Sequence, residues 1–98
     1  MTTLIFEWDE KKNISNKKKH KISFEEAQTV FSDENALLIH DPDHPVGGNR
    51  FVLLGLSLKL RILVVCHCCQ KSDSVIRIIS ARKAIRLEQR RYWDRWQK

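Results

Sequence analysis

Closely spaced apolar segments between residues 50 and 80 constrain the fold more than any other feature of this sequence. The segments from Arg50 to Leu56 and from Arg61 to Cys68 are rich in Val, Ile and Leu, and only the short link Ser57 to Lys59 separates them. After the polar stretch Gln70 to Ser74, the segment Val75 to Ser80 repeats the pattern. Strands joined by links this short pair antiparallel. The sequence therefore predicts an antiparallel sheet.

The N-terminal third has the pattern of one strand and two helices. Leu4 to Trp8 is short and apolar, which is typical of a strand, and a helix is predicted from Glu10 to about Lys19 with Asp9 as its cap. Ser23 and Glu26 fit a capping box, in which each side chain bonds the other residue's backbone N–H. Apolar residues then recur at helical spacing and predict a buried stripe: Phe24, Ala27, Val30 and Phe31.

The remaining segments complete the expected order. Ala36 to His40 has a strand pattern, and Asp41 to Asn49, with both prolines, is predicted to be a loop. A last helix is predicted from about Ala81. We therefore expect a single α+β domain over residues 1–98, with a mostly antiparallel sheet, two N-terminal helices and a C-terminal helix.

The charge of the chain points to an anionic partner. Eighteen Lys and Arg residues oppose twelve Asp and Glu residues, for a formal net charge of +6. Such a balance favours polyanions, because each phosphate that a cation neutralises releases counterions, although an acidic protein would suit the same field. No apolar run is long enough for a membrane span and no secretory signal is visible, so we expect a cytoplasmic protein.

The cysteines cluster in one strand. Cys66, Cys68 and Cys69 surround His67, which suggests zinc, but a structural zinc site needs a second, distant pair of ligands that the other histidines do not form. We expect these cysteines to pack in the core, with no metal and no cofactor. The sequence also has no phosphate-binding glycine loop and no His-Glu-x-x-His motif, which argues against nucleotide hydrolysis and zinc proteolysis.

Alternation along the strand from Arg61 separates two faces. We expect Ile62, Val64, Cys66 and Cys68 to face the helices, so that Arg61, His67 and Arg77 project from an uncovered side. Arg82, at the expected start of the last helix, extends this cationic surface. Arginine can stabilise charge on a phosphate and histidine can transfer protons near neutral pH, which suits RNA cleavage by the substrate's own 2′-hydroxyl. The alternative for His67 is a structural histidine without a catalytic role.

Several segments together resemble the BrnT family of toxins from type II toxin–antitoxin systems. These segments cover most of the chain: Phe6–Lys12, Asn16, Lys19–His20, Ser23–Ala27, Arg77–Ala84, Glu88 and Arg90–Tyr92. The sequence departs from the family at Lys21, where glycine is frequent, and at Cys68–Lys71, where the family is usually more polar and often has an arginine.

The resemblance implies a RelE-like fold and a metal-independent ribonuclease that inhibits translation. It also implies a BrnA-type antitoxin as partner, through which operator DNA is bound indirectly. Matching to the family, together with the charge pattern, gives one expected catalytic set: Arg61, His67, Arg77 and Arg82. The expected RNA-binding set is Lys19, His20, Arg50 and Arg86. The alternative is a non-catalytic RNA-binding or protein-interaction module that uses the same basic surface.

Overall fold

The predicted strands pair into one five-stranded sheet. The computed structural model describes residues 4–40, 50–70 and 74–96, so the predicted loop Asp41–Asn49 and residues Lys71–Asp73 of the predicted turn lie outside the described residues. In chain order the elements are β1 Ile5–Glu7, α1 Glu10–His20, α2 Phe24–Thr29, a 3-10 turn Val30–Ser32, β2 Leu37–His40, β3 Arg50–Leu56, β4 Ile62–Gln70, β5 Val75–Lys83 and α3 Arg86–Trp96. The predicted α+β class is confirmed.

The sheet is mixed. Its strand order is β1-β5-β4-β3-β2. The pairs β3–β4 and β4–β5 are antiparallel, as their short links require, and β2–β3 is antiparallel too, whereas β1 lies parallel to β5 with Phe6 opposite Ile76. β1 therefore forms one edge of the sheet next to the last strand, although it comes first in the chain.

Both N-terminal helices begin at the predicted caps. The carboxylate of Asp9 accepts a hydrogen bond from the Lys11 N–H at 2.9 Å, and the Ser23 hydroxyl accepts one from the Glu26 N–H at 3.0 Å. The other predicted bond of the capping box, from the Ser23 N–H to the Glu26 carboxylate, is wrong. The Glu26 carboxylate turns away from Ser23 because it bonds Ser57 and Arg61 at the β3–β4 turn.

The sheet carries a core on each face. On one face, α2 and the sheet bury a cluster that includes the predicted stripe, with Phe31 partly buried beside it: Ile22, Phe24, Ala27, Val30, Leu53, Leu63, Val65, Ile78 and Ala81. On the other face, Tyr92 of α3 and Ala84 pack over Leu54 and Val64. The alternation of the strands is therefore confirmed, since Leu63 and Val65 are on one face and Val64 is on the other.

The assignment of the two faces of β4 was wrong. The side that carries Leu63, Val65 and His67 is the one that α2 covers, and His67 is only 2% exposed. Cys66 and Cys68, predicted to be buried, are half-buried on the other side, which α3 covers only in part. Both faces of β4 are apolar in sequence, so the pattern could not indicate which face meets the first helices.

The C-terminal helix begins later than predicted. Ala81 and Lys83 still belong to β5, opposite Val65 and Leu63 of β4, so Arg82 lies on a strand and not at a helix start. α3 begins at Arg86, where the Glu88 carboxylate accepts a hydrogen bond from the Ile85 N–H at 2.9 Å. That bond satisfies one of the unpaired N–H groups at the helix start and fixes its position.

Candidate functional site

A groove of about 530 Å³ lies between α1 and β5, and we call it the α1–β5 groove. Its lining comes from one side of α1 and from the middle of β5: Lys12, Ser15, Asn16, Lys18, Lys19, His20, Ile79 and Ser80. Lys12, Ser15, Asn16 and Lys19 are spaced three or four residues apart, so they share one side of the helix.

The groove exists because β1 is too short to cover the edge of β5. β1 pairs with β5 only at Val75–Arg77. Beyond Arg77, the side chain of Asn16 takes the place of a strand: its oxygen accepts from the Ala81 N–H at 3.2 Å, and its nitrogen donates to the Ala81 carbonyl at 2.8 Å. The same nitrogen donates to the Ile22 carbonyl at 2.8 Å. Asn16 thus holds α1 along the edge of β5.

The cations of the groove have no carboxylate partners among the residues that the structure describes. Lys18, Lys19 and His20 lie in the last turn of α1, and Lys12 lies two turns earlier. No ion pair within the described ranges involves any of these four side chains. The groove therefore presents a concentrated positive field, with the hydroxyls of Ser15 and Ser80 beside it, and an anion would fit this arrangement.

Three arginines predicted to be catalytic each carry a carboxylate partner instead. Arg77 donates to the Glu7 carboxylate at 2.9 Å across the β1–β5 pair. Arg82 makes two parallel hydrogen bonds to Glu88, at 2.8 and 2.9 Å, and these bonds raise the pKa of Arg82. The third, Arg61, pairs with Glu26 on the other side of the sheet. The predicted single patch of Arg61, His67 and Arg77 is therefore wrong.

The Arg61–Glu26 pair is a structural anchor at the β3–β4 turn. Burial works to raise the pKa of Glu26, but hydrogen bonds from Arg61 and Ser57 outweigh it, so the pKa lies below its ordinary value. The Ser57 hydroxyl donates to Glu26 at 2.7 Å, and the Arg61 Nε donates at 3.0 Å. This network ties α2 to the turn, and it lies apart from the α1–β5 groove.

His67 lies inside the core and not on an open face. Its ring makes an edge-on contact with Phe31, with centroids 4.8 Å apart, and stacks near Phe51 at 6.1 Å. Burial lowers its pKa below the ordinary value, against a smaller opposing effect of the hydrogen bond between its Nδ1 and the Val65 carbonyl. The neutral imidazole is thus the favoured form, and proton transfer by His67 stays a prediction.

The structure brings some predicted site residues together and separates others. Lys19 and His20 line the same groove. Arg50 and Arg77 both lie opposite Cys68, so they share the sheet face that α3 covers only in part. Arg86 is the first residue of α3. Sequence reasoning missed Lys12, Lys18 and Ser80 as groove residues, although the helical spacing of Lys12 and Lys19 was a usable indication for Lys12.

The remaining sequence features have simple structural outcomes. Cys66, Cys68 and Cys69 all lie on β4 and are half-buried. Within residues 4–40, 50–70 and 74–96, no three His, Cys, Asp or Glu side chains are grouped as metal ligands. In the same ranges, no helix combines the length and the apolar composition needed to cross a membrane.

The fold and the groove together define a small basic α+β protein with a cationic groove of the kind that suits a polyanion. The chain belongs to the BrnT family, described as the ribonuclease toxin of type II toxin–antitoxin systems, whose model matches residues 8–88. The resemblance seen in the sequence is confirmed.

Among solved structures, the chain is similar to the 1.1 Å crystal structure of the Brucella abortus ribonuclease toxin BrnT. The TM-score is 0.61 at 23% identity, and the match covers 88% of this chain and 100% of that chain. At this identity the likeness shows the fold alone. No sequence among the curated proteins matches this chain.

Proposed function

We propose that this chain is an endoribonuclease toxin that binds the RNA backbone in the α1–β5 groove. Membership of the family implies an RNA target and an antitoxin partner. The observation that carries the proposal is the set of cations around one groove, Lys12, Lys18, Lys19 and His20, without carboxylate partners among the described residues. Lysine ammonium groups neutralise phosphates, and each contact adds a salt-dependent contribution to affinity.

His20 is the accessible histidine in this arrangement. The structure describes the side chains of two histidines, and of these His67 is buried while His20 lines the groove. In the proposed reaction, neutral His20 takes the proton of a ribose 2′-hydroxyl, and the 2′-oxygen attacks the adjacent phosphorus. The bond from phosphorus to the 5′-oxygen breaks, and that oxygen takes a proton from a groove ammonium or from water. The products are a 2′,3′-cyclic phosphate and a 5′-hydroxyl.

The groove lysines supply the charge stabilisation that this reaction needs. Negative charge grows on the phosphate oxygens in the transition state, and fixed cations nearby stabilise it. The proposal therefore includes cleavage without a metal. Ser80 lies between Arg77 and Arg82 along β5, so RNA leaving the groove would reach these two arginines next.

The cellular part of the proposal follows the family. We propose that cleavage inhibits translation in the cytoplasm, that a BrnA-type antitoxin neutralises the chain, and that operator DNA is bound only through the antitoxin. We also propose that the fold is related to that of RelE. Family membership supports the toxin role, and the cationic groove supports RNA as the target.

The test is cleavage of a labelled RNA oligonucleotide by purified protein in the presence of EDTA. Lys19→Ala should reduce affinity and lower the salt dependence of binding by about 0.7 in log–log slope, because one phosphate contact is lost. Lys17→Ala is the matched control. Lys17 has the same charge and lies in the same last turn of α1, but it does not line the groove.

The histidine variants separate catalysis from binding. His20→Ala should lower the cleavage rate by about 100-fold or more, the usual range for loss of a general base, with a smaller change in affinity. Unchanged cleavage by both Lys19→Ala and His20→Ala would contradict the proposed site. RNA binding without any cleavage by the wild-type protein would favour the non-catalytic module.

A further inference from the structure

The turn between β3 and β4 exposes two large apolar side chains. Leu58 and Leu60 are each 79% exposed, although turn positions ordinarily carry polar residues. Trp93 of α3, 44% exposed, shares the lining of a hollow with Leu60. Apolar side chains grouped on a surface in this way mark an interaction site. We call Leu58, Leu60, Lys83 and Trp93 the Leu60 surface.

The backbone at Leu60 is strained, and its side chain is not buried by the described residues in return. Its φ is 62°, in the left-handed region, which is unfavourable for a residue with a side chain and costs glycine almost nothing. The Leu60 N–H donates to the Ser57 carbonyl at 2.9 Å and closes the turn, and glycine could do the same. The leucine side chain is not buried in return. A contact with a binding partner would therefore account for leucine at this position.

Two hollows lie on either side of Leu60, and Leu60 lines both of them. One, of about 320 Å³, is lined by Leu60, Arg61, Ile62, Lys83, Gln89 and Trp93. The other, of about 240 Å³, includes Leu56 and Leu58. An apolar side chain from a partner fits such hollows, as interface anchors do.

The positive charge at the first hollow favours a partner with acidic residues. Arg61 and Lys83 lie at its rim, and Arg61 is paired with Glu26. Lys83 is exposed and makes no ion pair within the described part of the chain. A carboxylate on the partner would form an ion pair with Lys83, whereas the aliphatic side chains of Leu58 and Leu60 have no charged or hydrogen-bonding group to bind RNA.

We propose that the Leu60 surface binds the protein antitoxin through a segment that combines apolar and acidic residues. An apolar side chain of this segment packs between Leu60 and Trp93, and a carboxylate pairs with Lys83. The proposal rests on the proposed function, since a type II toxin has a protein antitoxin. The Leu60 surface and the α1–β5 groove share no lining residue, so antitoxin binding and RNA cleavage are separable by mutation.

The experiment measures, by titration calorimetry, the affinity of the purified protein for a purified BrnA-type antitoxin. Leu60→Gly removes the side chain while relieving the backbone, so its melting temperature should not fall. We expect Leu60→Gly and Lys83→Glu each to raise the Kd by about tenfold or more, as loss of an interface anchor does. Leu38→Ala is the matched control, because Leu38 is 57% exposed on β2, away from both hollows, and its Kd should change less than about twofold.

RNA cleavage by the same variants separates the outcomes. Wild-type rates of cleavage with weakened antitoxin binding support the proposal. Unchanged antitoxin affinity in both variants overturns it. If the variants lose RNA cleavage but keep their antitoxin affinity, the proposal is also overturned and the surface is assigned to RNA. If the wild type is a dimer that Leu60→Gly dissociates, and antitoxin affinity is unchanged, the surface is assigned to self-association. If the wild type binds the antitoxin through Leu60 but cuts no RNA, the docking proposal stands and the proposed function falls.

Discussion

Replacing Asn16 with alanine should destabilise the fold and open the α1–β5 groove. The side chain bonds three backbone groups: the N–H and the carbonyl of Ala81, and the carbonyl of Ile22. Ala81 and Ile22 are buried, so the groups lose partners that water replaces poorly. A buried group left without a partner costs about 1–3 kcal/mol. Because the smaller side chain lets some water in, the low end applies, and the total loss is about 3 kcal/mol.

This loss is large enough to measure in two independent ways. For a domain of this size, about 3 kcal/mol corresponds to a fall of roughly 12–24 °C in Tm. Urea unfolding should give the free energy, and hydrogen exchange should show faster exchange of the Ala81 amide. Lys17→Ala, at an exposed position of the same helix, should stay within about 0.5 kcal/mol of wild type. If the free energy of unfolding of Asn16→Ala lies within about 1 kcal/mol of the wild-type value and the Ala81 amide stays protected from exchange, the reasoning is refuted.

Three further predictions concern buried or paired groups. Burial lowers the pKa of His67 from 6.5, so as the pH falls the unfolded chain binds this proton before the folded chain does. Urea unfolding should therefore show a loss of stability as the pH falls below 6.5, and His67→Leu should remove this part of the pH dependence. In Gly55→Ala the new Cβ would lie 2.7 Å from Val30 Cγ1, so urea unfolding should show a loss of about 1–3 kcal/mol. The hydrogen bond with Arg82 lowers the pKa of Glu88, so Glu88 contributes stability that is present above its unfolded pKa and is lost on acidification. Because Arg82 is partly exposed, Glu88→Gln should lower the free energy of unfolding by less than about 1 kcal/mol at neutral pH, which urea unfolding measures.

The elements of the fold were predictable where local chemistry decides them. Asp9 and Ser23 cap helices because their side chains reach a backbone N–H two or three residues on, and no distant residue enters that choice. The end of β5 was not predictable, because Ala81 and Lys83 suit a helix by composition. Their strand conformation depends on pairing with Val65 and Leu63 and on the amide of Asn16.

The candidate site was predictable only in part, for a related reason. Lys19 and His20 were expected from the resemblance to the family, and the groove around them depends on how short β1 is. The state of each arginine depends on a carboxylate far away in sequence, as with Arg77 and Glu7. Pairing of this kind leaves no local pattern, so residue type alone could not show which cations have a carboxylate partner.

Lys21 holds a left-handed backbone conformation whose strain can be measured. It follows α1 with φ at 64°, and its N–H donates to the Lys17 carbonyl at 2.9 Å, so the helix ends in a left-handed cap of the kind that glycine usually forms. The strain of a side chain there is about 1–2 kcal/mol, and the greater freedom of glycine in the unfolded chain offsets about 0.5–1 kcal/mol of it. Lys21→Gly should therefore raise stability by about 0.5–1 kcal/mol in urea unfolding. Lys17→Gly, inside the helix, should lower it by about 1 kcal/mol. If Lys21→Gly destabilises the protein as much as Lys17→Gly does, the left-handed cap is not the reason that glycine suits this position.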